Sequence, residues 1–285
     1  MKKPILMDGA VGTTLWQMAE KRGIEKVPVW RYNVEQPEMV KELHKEYIEA
    51  GAQMILVNSF GANEETVARY SSLSPDKVIQ AGTRLAVEAA RGTGAKVSLS
   101  IGPLSQMMEP WGDLTPEEVQ RVLGRQIRAG MEEGPDSILI QTFIDLDMMK
   151  AAVDVALPFG VPVFCAMTFT PVGKTIMGNS VEDMMEALTP MGIAGIGMNC
   201  SLGPAESLPV LRRIAENTSL PILFKPNAGK PISAPDGTSA AEYTPEDFVR
   251  EIAPALDLAD YIGGCCGSNV AYIRLLKEEM DKREP

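Results

Sequence analysis

Eight short apolar runs, separated by longer amphipathic segments, predict that this chain folds as a single (β/α)8 TIM barrel. Strands that alternate with helices imply parallel β-α-β units, and no Pro/Gly/Ser-rich linker divides the sequence into halves. We therefore expect one barrel domain over residues 1–285 rather than an open doubly wound sheet.

The elements of this barrel follow from the apolar runs and from helix-start signals. Strands are predicted at 4–7, 54–57, 95–101, 137–141, 161–167, 193–198, 221–225 and 261–263. Helices are predicted at 36–50, 74–91, 115–133, 145–157, 180–188, 204–216 and 244–255, and 277–285 is predicted to be a solvated helix end. Ser74, Thr115 and Thr244 each precede a proline and acidic residues, which is the signature of an N-cap, a first helical residue and a first turn.

Three cysteines are predicted to meet at one end of the barrel. The active site of such a barrel lies at the C-terminal ends of the strands, in the loops that follow them. Cys200 follows the sixth strand, Cys265 and Cys266 follow the eighth, and the loop after the seventh lies between them. Zinc bound by three protein ligands keeps a fourth position for substrate, so the pattern predicts a catalytic three-thiolate zinc site. Spacing alone also allows buried, inert cysteines in tight turns, since the pair lacks the CxxC form.

Composition and charge exclude several classes of partner. The formal net charge of −11 and the lack of a basic stripe argue against nucleic acid and anionic membrane surfaces. No apolar stretch approaches the roughly 20 residues of a membrane span. The first residues do not form a secretory signal, and four cysteines are too few for a disulfide scaffold, so we expect cytoplasmic residence.

The remaining cysteine and the single histidine are predicted to be structural. Cys165 lies inside the fifth predicted strand, which makes it a core residue. His44 lies on the helix at 36–50, in the outer ring of the barrel and far from the predicted metal site. A histidine-dependent acid-base mechanism therefore has little support.

Six short motifs, taken in order, resemble the homocysteine S-methyltransferase family nearly from end to end. They are DGAVGT at 8–13, YIEAGA at 47–52, NSF at 58–60, NCSLGP at 199–204, PNAG at 226–229 and GCCG at 264–267. The family includes the homocysteine-binding module of cobalamin-dependent methionine synthase. The resemblance implies a (β/α)8 barrel in which Cys200, Cys265 and Cys266 hold one zinc ion and form the catalytic centre.

The resemblance also implies a reaction. Homocysteine binds the zinc through its thiol and receives a methyl group, which gives methionine. A free thiol has a pKa of about 8.5 and is mostly protonated at neutral pH, whereas coordination to a cation favours the thiolate.

Substrate-binding residues are expected where the motifs match. They are Asp8, Gly9, Thr13, Asn58, Gln141 and Asn227. Asp8 is expected to bind the substrate ammonium group, and the glycines after it leave backbone N–H groups for a carboxylate. Asn227 is expected either to shape the pocket wall or to cap a turn.

The chain departs from the family pattern at two positions. Leu56 stands where many relatives have a glutamate, and Gln141 stands where the fourth strand usually ends in Ile-Glu-Thr. Replacing that carboxylate by an amide removes a charge-assisted contact of about 1.5–3 kcal/mol to the homocysteine ammonium group. The acceptor is therefore either homocysteine, bound through the Gln141 carbonyl, or a different thiol.

The methyl donor is expected to come from outside the chain, because no corrinoid or folate module accompanies the motifs. A separate methyl-corrinoid protein carrying methylcobalamin is the first expectation, and an S-methylmethionine-type donor is the second. A non-catalytic zinc or thiol-binding protein, in which Cys265 and Cys266 form a thiol pair, is the alternative from another class. A lyase that forms a Schiff base at Lys225 is a further alternative.

Overall fold

Eight parallel strands surround a common axis in the computed structural model, which describes residues 3–233 and 239–283, with residues 231–233 and 239–240 described by their backbone alone. The ends of the predicted domain, at 1–2 and 284–285, lie outside the described residues. The barrel strands are β1 Ile5–Leu6, β2 Met54–Leu56, β3 Lys96–Ile101, β4 Ser137–Phe143, β5 Val163–Met167, β6 Gly195–Asn199, β7 Ile222–Lys225 and β10 Tyr261–Ile262. A separate antiparallel hairpin consists of β8 Pro231–Ser233 and β9 Ser239–Ala241.

The sheet closes between β1 and β2. Hydrogen-bonded neighbours run in the order β1-β10-β7-β6-β5-β4-β3-β2. A parallel bridge between Met7 and Met54 then joins the two edges, supported by a hydrogen bond of 2.7 Å from the Gln53 N–H to the Leu6 carbonyl. All eight predicted strands are confirmed, with ends that agree to within two residues.

The helices lie between these strands. They are α1 Val11–Lys21, α2 Tyr32–Glu35, α3 Pro37–Glu49, α4 Glu64–Tyr70, α5 Pro75–Ala90, α6 Pro116–Met131, α7 Leu146–Ala156, α8 Val181–Leu188, α9 Pro204–Asn217, α10 Pro245–Ile252 and α11 Val270–Lys282. The seven predicted helices are confirmed as α3 and α5 to α10. Of the predicted helix end at 277–285, residues 277–282 form the last part of α11, and residues 284–285 lie outside the described residues. Within the described residues, none of the helices has the length and hydropathy that crossing a bilayer requires.

Sequence reasoning missed α1, α2, α4 and the start of α11. In α1, the first turn contains Gly12, Thr13 and Thr14, which have low helix propensity, and Ala10 at the N-cap makes no side-chain hydrogen bond. The segment therefore carries no start signal. The three predicted N-caps also differ: Thr115 and Thr244 accept hydrogen bonds in the first turn of their helices, whereas Ser74 occupies the N-cap position without a side-chain bond.

Alternate residues of the strands face two different cores. One set packs between the sheet and the helices and includes Ile55, Leu99, Cys165 and Phe224, so the core assignment of Cys165 is confirmed. The other set fills the barrel interior and consists of Met7, Met54, Leu56, Leu139, Phe164, Ala166 and Leu223. Gly197 completes the interior because a side chain there would begin 1.8 Å from the Leu223 carbonyl oxygen. Because the interior is filled, a site cannot lie inside the barrel, and in barrels of this kind it lies at the C-terminal ends of the strands.

His44 is fully buried on α3, within the helical layer, as the sequence predicts for a structural residue. Neither ring nitrogen has a hydrogen-bond partner. Burial lowers the pKa of His44 from 6.5 to about 4, because the apolar surroundings disfavour the imidazolium.

We expect His44 to make folding sensitive to mild acid. Since the pKa in the folded protein lies below the value of the unfolded chain, the unfolded state binds the proton first. Stability is complete above pH 6.5 and is lost as the pH falls towards 4, by about 3 kcal/mol in the limit. The urea unfolding free energy of wild type relative to His44→Leu should therefore fall by 2–3 kcal/mol, approximately, between pH 7 and pH 4.5. The single histidine makes its NMR titration unambiguous, and a midpoint near 6.5 in the folded protein would contradict this prediction.

Candidate metal centre

Three cysteine sulfurs lie together at the C-terminal mouth of the barrel. Cys200 follows β6, and Cys265 and Cys266 follow β10. The Sγ atoms of Cys200 and Cys266 are 3.7 Å apart, and all three Sγ atoms lie within 4.8 Å of one another. Tetrahedral zinc with Zn–S bonds of 2.3 Å requires sulfurs about 3.8 Å apart. The cluster therefore fits one zinc ion, and Cys200 and Cys266 already lie at the required separation.

The end of β7 holds the two cysteine loops against each other. The Lys225 carbonyl accepts a hydrogen bond of 3.0 Å from the Cys200 N–H, and the Pro226 carbonyl accepts one of 2.7 Å from the Cys265 N–H. The Ala228 N–H donates to the Cys266 carbonyl at 2.9 Å. Backbone atoms of one short segment thus position all three ligands.

Hydrogen bonds among the sulfurs favour one thiolate in the metal-free cluster. Hydrogen bonds from Cys265 and Cys266 lower the pKa of Cys200 to about 3. The bond to Cys200 correspondingly raises the pKa of Cys266 to about 11, and the pKa of Cys265 rises well above its usual value. A cation is needed to deprotonate all three, because metal binding releases thiol protons.

Strained backbone is concentrated around the cluster. Among the described residues, Thr142, Cys200 and Ser201 are the only non-glycine residues with positive φ, at 66°, 62° and 54°. Left-handed conformations are uncommon for such residues, and β-branched threonine is especially disfavoured. Strain of this kind persists only where the surrounding structure imposes it, and it is often found at functional sites.

Thr142 owes its conformation to a bulge in β4. Gln141 pairs with Ala166 and Phe143 pairs with Met167, so Thr142 is the extra residue between them. The Asn199 side chain clamps it: Oδ1 accepts from the Thr142 N–H at 2.8 Å, and Nδ2 donates to the Thr142 hydroxyl at 2.7 Å. These two bonds offset the strain of the bulge.

Asn199 also contacts the residue before the bulge and one of the three cysteines. Its Nδ2 lies 3.4 Å from Gln141 Oε1 and 3.8 Å from Cys265 Sγ. Asn199 is fully buried at the end of β6, next to Cys200 in sequence. One amide therefore connects the sulfur cluster to β4.

A cavity of about 290 Å³ opens beside the cluster and is lined by the three cysteines. Gly9, Thr13, Asn58 and Gln141, which the sequence predicts as substrate-binding residues, also line it. Gln141 Nε2 donates to Ser100 Oγ at 2.8 Å, and Asn58 Nδ2 donates to the Val29 carbonyl and to Asn33 Oδ1, both at 2.8 Å. The structure thus brings four of the six predicted residues to one cavity.

Asp8 lies behind this cavity in a buried ion pair. Its Oδ1 is 2.5 Å from Lys225 Nζ, and its Oδ2 accepts a hydrogen bond of 2.7 Å from the Leu56 N–H. Lys225 Nζ also donates to the Asp8 carbonyl at 2.7 Å. Burial raises the pKa of Asp8, and the Lys225 charge opposes that effect. A role for Asp8 in binding a substrate ammonium group stays a prediction, since both of its carboxylate oxygens have protein partners.

Asn227, the sixth predicted residue, is buried beside the cluster rather than in the cavity wall. Its side chain hydrogen-bonds to Cys200, which contributes to the low pKa of that thiol, and its Oδ1 has no partner. These contacts favour neither of the two roles expected from the sequence, and they associate Asn227 with a metal ligand.

Asn199 and Thr142 were absent from the predicted set, and Lys225 was considered only as the Schiff-base lysine of the alternative lyase. Asn199 and Lys225 are polar residues at the ends of otherwise apolar strands, and that position was the available signal. For Thr142 no signal exists in the sequence, because the bulge follows from pairing with β5.

The sequence model of the homocysteine S-methyltransferase family matches residues 5–280. The chain belongs to this family. The resemblance drawn from the six motifs is thereby confirmed.

Relatives of this family member include two long proteins. The methionine synthase of Mycobacterium tuberculosis is 31% identical over 290 residues, which cover 94% of this chain and 24% of the relative. The methionine synthase of Mycobacterium leprae is 30% identical over 290 residues, which cover 94% of this chain and 23% of the relative. The chain spans about a quarter of the length of these curated relatives.

Solved structures of the homocysteine methyltransferase MmuM from Escherichia coli share the fold of this family member. The metallated form superposes with a TM-score of 0.79 at 22% identity and covers 97% of this chain and 96% of that chain. The oxidised form gives 0.79 at 24% identity, covering 96% and 95%. The predicted (β/α)8 barrel is confirmed.

We expect Asn199 and Thr142 to be energetically coupled. Asn199→Ala removes both bonds that hold Thr142 in its left-handed conformation and should lower the unfolding free energy by about 2–3 kcal/mol. Thr142→Gly accepts a φ of 66° without strain, so adding it to Asn199→Ala should recover about 1 kcal/mol. Urea unfolding of the four proteins measures this coupling. Additive effects, within about 0.5 kcal/mol, would show that Asn199 does not hold the bulge.

We also expect that removing one partner of the Asp8–Lys225 ion pair lowers stability strongly, whereas replacing both partners by uncharged residues lowers it little. Lys225→Met leaves a buried carboxylate without its cation and should lower stability by about 3–5 kcal/mol. The double variant Asp8→Asn/Lys225→Met contains no buried charge and should recover most of the loss. Thermal and urea unfolding distinguish the two variants. A double variant no more stable than Lys225→Met would refute the charge argument.

Proposed function

We propose that this protein catalyses zinc-dependent transfer of a methyl group to the thiol of homocysteine, which gives methionine. The observation that carries the proposal is the three-sulfur cluster in the wall of a closed-bottom cavity. A structural zinc site normally has four protein ligands, whereas three ligands beside a cavity leave one position for a substrate thiol. Family membership supports the same reaction class.

Cys200, Cys265 and Cys266 would hold the ion. Zinc bound there would lower the pKa of a coordinated substrate thiol, so that the nucleophilic thiolate prevails at neutral pH. The sulfur spacing and the all-thiolate donor set support this assignment. The metallated form described for MmuM is consistent with it.

The other cavity residues would bind and orient the acceptor. The segment from Gly9 to Thr13, which leads into the first turn of α1, lines the cavity, and its N–H groups are suited to a carboxylate. Gln141 and Thr142 line the same cavity and are held in place by Ser100 and Asn199. Asp8 and Asn227 do not line the cavity. Asp8 would hold Lys225 in position through the ion pair, and Asn227 would hold Cys200 in position through a hydrogen bond.

The methyl donor we propose is methylcobalamin carried by a separate corrinoid protein. Large apolar side chains are exposed on the segments that follow the strands, at the mouth of the barrel. They include Trp16 and Phe60 at the cavity and Trp111, Val172 and Ile176 in the loops after β3 and β5. Exposed apolar groups of this kind suit contact with another protein. The names of the long relatives, methionine synthase, support methionine as the product. Free thiols suit a reducing compartment, which agrees with the cytoplasm.

A Schiff-base reaction at Lys225 has less support. The Lys225 amino group is buried and is engaged twice by Asp8, at 2.5 Å from its carboxylate and at 2.7 Å from its carbonyl. A nucleophilic lysine needs its nitrogen free to attack a carbonyl carbon.

The test is methyl transfer from methylcobalamin to L-homocysteine, with S-methylmethionine as a second donor. We expect zinc-loaded protein to form methionine, and chelator-treated protein to form none until zinc is restored. Cys200→Ala should lose both bound zinc and transfer, because one ligand of the cluster is gone. Mass spectrometry measures methionine, and elemental analysis measures zinc.

Cys165→Ala is the matched control, since Cys165 is buried away from the cluster. It should keep zinc and transfer at a cost of about 1 kcal/mol in stability. Zinc-loaded protein that transfers no methyl group from either donor would favour a non-catalytic zinc or thiol-binding protein. Full activity in zinc-free Cys200→Ala would end the proposed mechanism.

A further inference from the structure

The cavity beside the cluster contains no carboxylate among the described residues. Apart from its three cysteines, Lys225 is the one lining residue with a formally charged side chain, and that charge is positive. Leu56 contributes an apolar surface, and Gln141, Thr142, Ser100 and Asn58 contribute neutral polar groups. A ligand ammonium group that enters this cavity loses water without gaining an ion pair.

Asp8 does not supply the carboxylate that the cavity lacks. Its side chain is fully buried and does not line the cavity, and its oxygens are bound to Lys225 Nζ and to the Leu56 N–H. An ammonium group that took over Asp8 would displace Lys225 and leave a second cation buried without a partner. That exchange is unfavourable in a buried site.

Gln141 offers an ammonium group only a neutral carbonyl, which is partly engaged. Its Oε1 lies 3.4 Å from Asn199 Nδ2, and its Nε2 donates to Ser100 Oγ. By contrast, the amino-terminal turn of α1 provides positive potential, which favours an anionic group and disfavours a cationic one, while the Lys225 charge is compensated by Asp8. The cavity is therefore suited to a thiol and an anion.

We infer that this site selects its acceptor by the thiol and the anionic group, and not by an α-ammonium group. Mercapto acids that lack the amine, such as 4-mercaptobutanoate, are then acceptors comparable to homocysteine. The inference rests on the proposed function and extends its substrate class. In the reaction, the thiol releases its proton to solvent, the S–CH3 bond forms as the Co–CH3 bond of the donor breaks, and cobalt keeps the electron pair.

Binding can be measured without methyl transfer on the cobalt(II)-substituted protein, because a thiol that joins the metal changes its visible absorption. We expect L-homocysteine and 4-mercaptobutanoate to bind with dissociation constants within about fivefold of each other. In Gln141→Glu, a carboxylate accepting from Ser100 and Asn199 faces the cavity. This substitution should change the ratio of the two dissociation constants in favour of homocysteine by about ten- to a hundredfold, which is the effect of one charge-assisted hydrogen bond. Gln141→Met, similar in size and uncharged, should not shift it towards homocysteine.

The outcomes separate this inference from the proposed function. If the wild type binds homocysteine more than about fiftyfold more tightly than 4-mercaptobutanoate, the inference is overturned and the proposed function stays intact. The same holds if Gln141→Glu leaves the ratio of the two dissociation constants unchanged. Failure of both thiols to change the absorption shows that no thiol reaches the metal, which overturns the proposed function and this inference with it. Formation of 4-(methylthio)butanoate from 4-mercaptobutanoate and methylcobalamin supports both.

Discussion

The hydrogen bonds at the end of β7 are the constraint on which the candidate site depends. The carbonyls of Lys225 and Pro226 accept the N–H groups of Cys200 and Cys265, which belong to loops more than sixty residues apart. Closing eight parallel strands brings these loops to the same end of the barrel, but closure alone does not set sulfur positions to a fraction of an ångström. The backbone contacts at β7 do so, and the 3.7 Å separation of two sulfurs is their result.

The same segment connects the metal side of the site to the substrate side. Lys225 contributes its carbonyl to the Cys200 loop and its ammonium group to Asp8 at the start of the barrel. Asn199, which pairs with Lys225 in the sheet, extends the connection to Thr142 and Gln141 on β4. A change in acceptor chemistry at Gln141 therefore occurs next to an amide that also approaches Cys265. The proposed acceptor selectivity and the proposed metal binding thus both depend on the position of the Asn199 side chain.

The sequence was informative wherever the signal is local. Apolar runs located all eight strands, and glycine-flanked cysteines after the sixth and eighth strands located the three-sulfur cluster, because strand ends and loop residues are adjacent in the chain. The ion pair of Asp8 and Lys225 joins residues 217 positions apart, and no local pattern reveals that Asp8 has its charge compensated within the protein. The Thr142 bulge likewise depends on register with β5. Sequence reasoning therefore placed Asp8 at the right end of the barrel but could not assign its partner.

The electrostatic potential in the cavity depends on which nearby charges have a partner within the protein. Asp8 and Lys225 form a buried pair with no net charge, so the nearest carboxylate contributes little field to the cavity. The uncompensated features are the cysteine sulfurs, which become anionic when a cation binds, and the partial positive charge at the start of α1. A molecule that carries a thiol and an anionic group matches these two features. An additional ammonium group has no complementary charge to meet, because the residue that could supply one on β4 is the neutral Gln141. The proposed acceptor selectivity thus depends on one amide, Gln141, and on one internal ion pair, that of Asp8 and Lys225.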